Sequence, residues 1–170
     1  MFDFLKSKKE PKHVEALTNQ TIGGQSVLYR LFRQGLGVDD SHIRKLELTY
    51  FAASVTTFVY LHLSNDPNKE RVLDAFSHSI LEKSIASAGE HVSLSSAIAQ
   101  YQQRFAEYST LIPPIFDPGE RPSPEVTLLL HVFASVTGGS AQGHMIQISA
   151  AAGLITQYIA DHIDFVKVKL

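Results

Sequence analysis

The chain carries eight histidines and no cysteine, so any metal binding or proton transfer would have to be built from imidazole and carboxylate. Asp74, His78 and Glu82 follow one another at i, i+4 spacing. On a helix this sets them about a turn apart on one face, where a divalent ion can take an imidazole nitrogen and carboxylate oxygens. The same ladder arises on any solvated helix face. Di-iron bundles need Glu-x-x-His on two helices, and neither such a pair nor His-Glu-x-x-His occurs here. The expectation is that Asp74, His78 and Glu82 hold no physiological metal and that the chain uses no cofactor.

His62, His131 and His144 lie in apolar stretches. Brought to one pocket with tyrosines, imidazoles shifted by burial can act as acid and base near neutral pH. A neutral imidazole hydrogen-bonded to backbone or tyrosine is the commoner occupant of such positions, and no Gly-x-Ser-x-Gly elbow accompanies these three. The turn GGSAQGH, from Gly138 to His144, places glycines and a serine before a helix, where free N–H groups can bind phosphate. It lacks the lysine and spacing of a P-loop. A helix C-cap followed by an N-cap accounts for Gly138, Gly139 and Ser140.

The elements that position these residues are helical. From Asp39 to Leu63 the sequence DDSHIRKLELTYFAASVTTFVYLHL reads as one long helix, capped at Asp39 and free of full charge from Leu48 onward. Phe51, Val55, Phe58 and Val59 cover one side and Tyr50, Ala53 and Leu61 another. A helix apolar all round must be enclosed by others. Before it, Gln25–Gln34 forms a short helix, and Pro11–Gly24 reads as loop because its apolar residues are sparse and two glycines close it.

After it, Asp66 and Pro67 open a helix to about Ala88, with Gly89 as its C′ residue. Ser93 caps a five-turn helix with the stripe Leu94, Ala97, Ile98, Tyr101, Phe105, Tyr108 and Ile112, whose other face, with Ser96, Gln100, Gln103, Arg104 and Glu107, is expected to meet water. Five of the seven prolines fall between Pro113 and Pro124, an extended crossover fastened through Ile115 and Phe116. Ser123 and Pro124 open a buried helix that ends at Gly138. Ser140 caps the last one, to about Ile163, and the final FVKVKL alternates like a short strand or extended tail.

A chain of 170 residues, 44% hydrophobic and 19% charged, is of single-domain size. The expected fold is an all-α, single-domain bundle of five to six helices over residues 25–170, around the central helix at about 39–64. Residues 1–24 are expected to be a mobile N-terminal segment. There Phe2, Phe4 and Leu5 beside Lys6 invite a membrane-anchor reading, but a frayed tail is the simpler one. A net charge of −2 supplies no basic field for nucleic acid. Absence of cysteine fits a reducing, cytoplasmic compartment of bacterial type.

The surplus of apolar helix faces favours a protein-interaction or oligomerisation module, with a protein partner or a second copy of the chain, over an enzyme. The alternative is a small-molecule-binding protein or enzyme with a buried pocket of histidines and tyrosines. Ser149, Gly153, Thr156 and Ala160 make a stripe of small residues in the last helix. It is expected to accept a closely packed helix, within the fold or across a two-fold axis.

Overall fold

The computed structural model of the chain describes residues 9–88, 91–116 and 123–170. These form an all-α bundle of six α-helices: α1 Lys9–Arg30, α2 Lys45–Leu63, α3 Lys69–Ala88, α4 Leu94–Leu111, α5 Pro124–Thr137 and α6 Met145–Lys169. Every residue of α2 from Leu46 to Thr57 is buried, and α2 packs against each of the other five helices. Its buried polar residues find partners within the protein. Ser54 and Thr56 donate to the carbonyls of Tyr50 and Ala52 at 2.7 and 3.1 Å. Thr56 and Thr57 also reach across to Thr21 of α1 (2.8 Å) and Tyr101 of α4 (2.6 Å). Hydroxyls that use the preceding turn and a neighbouring helix in this way remove the desolvation penalty that otherwise bars them from a core.

α2 starts later than the sequence pattern suggests. Asp39 caps a single 3₁₀ turn, Asp40–His42, accepting from the Ser41 N–H at 3.0 Å, and Ile43 and Arg44 are extended. Arg44 N–H donates to the Val136 carbonyl of α5 at 2.9 Å, so tertiary contact claims a donor that a continuous helix would have used locally. Val38 and Ile43 are both buried at this corner.

The larger correction concerns residues 11–24. The segment expected to be loop belongs to α1, a helix of 22 residues that packs on α2 and α3 and runs on into a π turn, Leu31–Gly35. Its inward stripe is Leu17, Thr18, Thr21, Gly24 and Leu28, all buried. Periodicity is present, but threonine and glycine occupy positions where a hydrophobic reading looks for leucine. Thr18 and Thr21 qualify for the core because each donates to the carbonyl four residues earlier, at 2.7 and 2.8 Å. Residues 1–8, including Phe2, Phe4, Leu5 and Lys6, lie outside the described residues.

Some local signals hold and others do not. Ser93 caps α4 by accepting from the Ser96 N–H at 3.2 Å, and Gly138 ends α5 in the left-handed region with φ of 66°. Asp66 accepts from the Asn68 N–H at 2.8 Å ahead of α3. Ser140, expected to cap the last helix, instead accepts from the Gln142 N–H ahead of a separate 3₁₀ turn, Gln142–His144, and α6 begins only at Met145 without a side-chain cap. In the crossover Ile115 is buried while Phe116 stays half exposed, and Gly89 and residues 117–122 lie outside the described residues. The terminal FVKVKL is helical to Lys169 rather than extended, with Val166 inward and Val168 outward.

The two adjacent glycines of α1 differ in their surroundings. A Cβ on Gly24 would lie 2.6 Å from the Tyr158 hydroxyl oxygen of α6 and 3.0 Å from its ring, whereas one on Gly23 would meet nothing within 4 Å among the described residues. Gly24→Ala should therefore destabilise the fold by about 1 to 3 kcal/mol through overpacking. Gly23→Ala should stabilise it by up to about 1 kcal/mol through helix propensity. Tyr158→Phe, which removes a buried hydroxyl that has no hydrogen-bond partner among the described residues, should recover part of the Gly24→Ala loss. Denaturant titration of the four variants, including the double one, measures this; equal stability of the two alanine variants would contradict it.

Candidate functional site

The structure keeps His62, His131 and His144 apart. His62, exposed at the end of α2, holds the Phe58 carbonyl through Nδ1 at 2.7 Å and stacks on that ring at 4.2 Å. His131 of α5 lies 3.1 Å from Glu107 Oε2, edge-on to Tyr108. His144 Nδ1 lies 3.1 Å from the Leu36 carbonyl oxygen, with its ring against Phe133. Asp74, His78 and Glu82 are exposed along α3, and His78 Nδ1 is satisfied by the Asp74 carbonyl at 2.9 Å. Among the described residues no group of three or more His, Asp or Glu is arranged to hold a metal ion.

Two polar clusters lie where sequence pattern did not point. The first joins α2, α4 and α5. Glu47, buried at the start of α2, receives a bidentate bond from Arg104, Nε to Oε2 at 2.8 Å and Nη2 to Oε1 at 3.0 Å. Arg104 Nη1 also donates to Glu107 Oε2 at 2.9 Å, and His131 completes the chain. The face of α4 expected to meet water thus turns Arg104 and Glu107 inward, while Ser96, Gln100 and Gln103 remain exposed.

A fork of fixed N–H donors matches a carboxylate, and Glu47 in turn holds Arg104 firmly charged. Burial opposes the Glu107 charge, but bonds from His131, Arg104 and Gln103 outweigh it and hold its pKa below the usual carboxylate range. Beside them burial pushes the Tyr108 phenol up to about 12. Both carboxylates here are engaged by the protein, so this cluster works as a clamp.

The second cluster lies at the opposite end of α2. Asp66 Oδ2 stands 3.2 Å from His13 Nδ1 and 3.3 Å from the Tyr60 hydroxyl. His13 Nδ1 is also 3.1 Å from that hydroxyl oxygen. Burial and then the Asp66 charge raise the Tyr60 phenol above its ordinary value, so it is a donor. With Asp66 accepting from both, His13 carries its proton on Nδ1. Its Nε2 has no partner among the described residues.

His13 and Asp66 line a cleft of about 550 Å³ between the start of α1, the loop Leu63–Asn68 and the last turn of α6. Glu10 lines it too and pairs with Arg71 at 2.9 Å. Asp66 was legible as a helix cap and does cap, which hid its second role. One signal was available: Glu10 to His13 is the only Glu-x-x-His in the chain.

A third feature is apolar. From Met145 to Ala160 the chain has no charged residue, and on the outer side of α6 Ile146 is 84% and Leu154 58% exposed. Gly153 sits beside them, and a Cβ placed on it would have no neighbour within 4 Å among the described residues, so the small-residue stripe meets no packed helix at that point. Leu154 continues into a groove of about 370 Å³ shared with Val27, Leu31 and Tyr158, edged by Arg30 of α1 and Asp161 of α6.

Comparison of the chain with known protein families, with curated proteins and with solved structures finds no match. Among the described residues no helix is long and apolar enough to cross a membrane.

Arg104→Met should cost about 3 to 5 kcal/mol, because it leaves Glu47 buried without its partner; Glu47→Gln in the same chain should restore part of that, as a denaturant double-mutant cycle would show. A separate pH effect comes from His162. It is buried, its Nδ1 bonds the Tyr158 carbonyl at 2.9 Å, and its Nε2 has no partner among the described residues. Burial lowers its pKa from the ordinary 6.5. The unfolded chain therefore takes up a proton that the folded chain refuses, so stability falls as pH drops below about 6.5. Melting temperatures between pH 7 and pH 5 should decline less in His162→Leu than in the parent.

Proposed function

We propose that the chain is a self-association module in which the outer face of α6 joins a second copy across a two-fold axis. The observation that carries this is Gly153, whose open side lies between the exposed Ile146 and Leu154 on an uncharged stretch of helix. Glycine within a helix costs about 0.5 to 1 kcal/mol relative to alanine. Among the described residues nothing packed against Gly153 offsets that cost. Close approach of a second backbone does, and the flanking Ile146 and Leu154 supply the apolar area that association would remove from water.

A second copy fits better than an unrelated partner because the face is self-complementary. Arg30 and Asp161 edge the same groove, and a two-fold operation sets each against the other's counterpart. On this reading the protein works in a bacterial-type cytoplasm, where a chain without cysteine relies on packing rather than disulfides. It assigns no role to nucleic acid, consistent with the net charge of −2.

Sedimentation velocity over a range of concentrations tests it. The parent should sediment as a dimer. Leu154→Glu and Gly153→Leu should sediment as monomers, with the melting temperature of dilute protein little changed because both positions are exposed. A parent that stays monomeric throughout, or a Leu154→Glu variant that stays dimeric, would overturn the proposal.

A further inference from the structure

The cleft at the other end of the molecule has hydrogen-bonding capacity that the fold does not use. A tether between α1 and the Leu63–Asn68 loop needs only His13 Nδ1, which Asp66 engages at 3.2 Å. Asp66 also fixes the tautomer, since Oδ2 receives Nδ1–H and the Tyr60 hydroxyl while Oδ1 receives the Asn68 N–H at 2.8 Å. Nε2 has no partner among the described residues, and His13 lines a cleft whose volume, about 550 Å³, suits a small metabolite.

We propose that this cleft binds a small molecule bearing a protonated amine, accepted by Nε2 of His13 and the carboxylate of Glu10. The charged groups facing the cleft decide the sign of the ligand. Among the described residues Glu10 and Asp66 line it against one cation, Lys167. Arg71 neutralises Glu10 from a side chain that is 79% exposed, an ion pair of the weak surface kind that a ligand ammonium can displace. Lys69 is engaged elsewhere, donating to the Leu61 carbonyl at 2.9 Å.

Val166 and Lys167 of α6 also line the cleft. The side chains of Ser64, Asn65 and Asn68 on the rim add oxygen acceptors. An anionic ligand would meet the carboxylates of Glu10 and Asp66. An amine meets the carboxylate of Glu10 and the side-chain oxygens of the rim. This site is independent of the α6 face near Gly153.

The test is a titration followed by amide chemical shifts, with putrescine and ethanolamine as probes and succinate as the control, on the parent, Glu10→Gln and His13→Gln. Thermal melts of all three show that each is folded, and Glu10→Gln keeps the test decisive should His13→Gln loosen α1. Both amines should give saturable shifts at Asn65 and Asn68, and succinate none. Each variant should bind about tenfold more weakly, the usual effect of losing one hydrogen bond to a charged group. Absence of saturation at millimolar amine, equal response to succinate, or parental affinity in either variant would overturn the assignment.

Discussion

α2 has no solvent side from Leu46 to Thr57 and so requires contact all round, where a helix with a single apolar stripe needs only one or two neighbours. Each of the other five helices supplies part of that contact. Within such an enclosure a polar group has no water to fall back on. The hydroxyls of Thr49, Ser54 and Thr56 are met by carbonyls of their own helix. Glu47 cannot be satisfied that way. An isolated carboxylate in a core costs far more than any single contact returns, and only the guanidinium of Arg104, brought from α4, makes its burial tolerable.

The need to enclose α2 also determines where function can sit. Each surrounding helix commits one face to α2, so what remains for chemistry or recognition is outward faces and the ends of the bundle. At one end the start of α1, the Leu63–Asn68 loop and the last turn of α6 leave a cleft, and the groups that hold these pieces together, His13, Asp66 and Tyr60, are also the groups that line or underlie it. Along the side, the outward face of α6 stays uncharged for its first several turns and carries the exposed Ile146 and Leu154. The clamp at Glu47 and the triad at Asp66 thus act alike on the fold, each pinning a separate helix to α2 or to its exit. They differ in what they leave over. Arg104 spends its donors on Glu47 and Glu107, whereas His13 keeps one nitrogen free among the described residues.

Features whose cause is local could be read from the order of residues alone. The run from Leu48 carries no full charge and is apolar on nearly every side, and it is buried through Thr57 and again at Val59 and Tyr60. Ser93 at the head of α4 and Gly138 at the end of α5 are legible because capping and left-handed geometry act within a turn of the residue concerned. The remaining features waited on contacts between distant segments. The inward stripe of α1 is written in threonine and glycine, which become core residues once Thr56 and Tyr158 stand opposite them. The α4 face carrying Arg104 and Glu107 reads as solvated until Glu47 arrives from 57 residues away, and His13 meets Asp66 across 53. Periodicity shows which side of a helix is apolar. It does not show which other helix will face a given charge, and for Glu47, Arg104, His13 and Asp66 that pairing is what sets the chemistry.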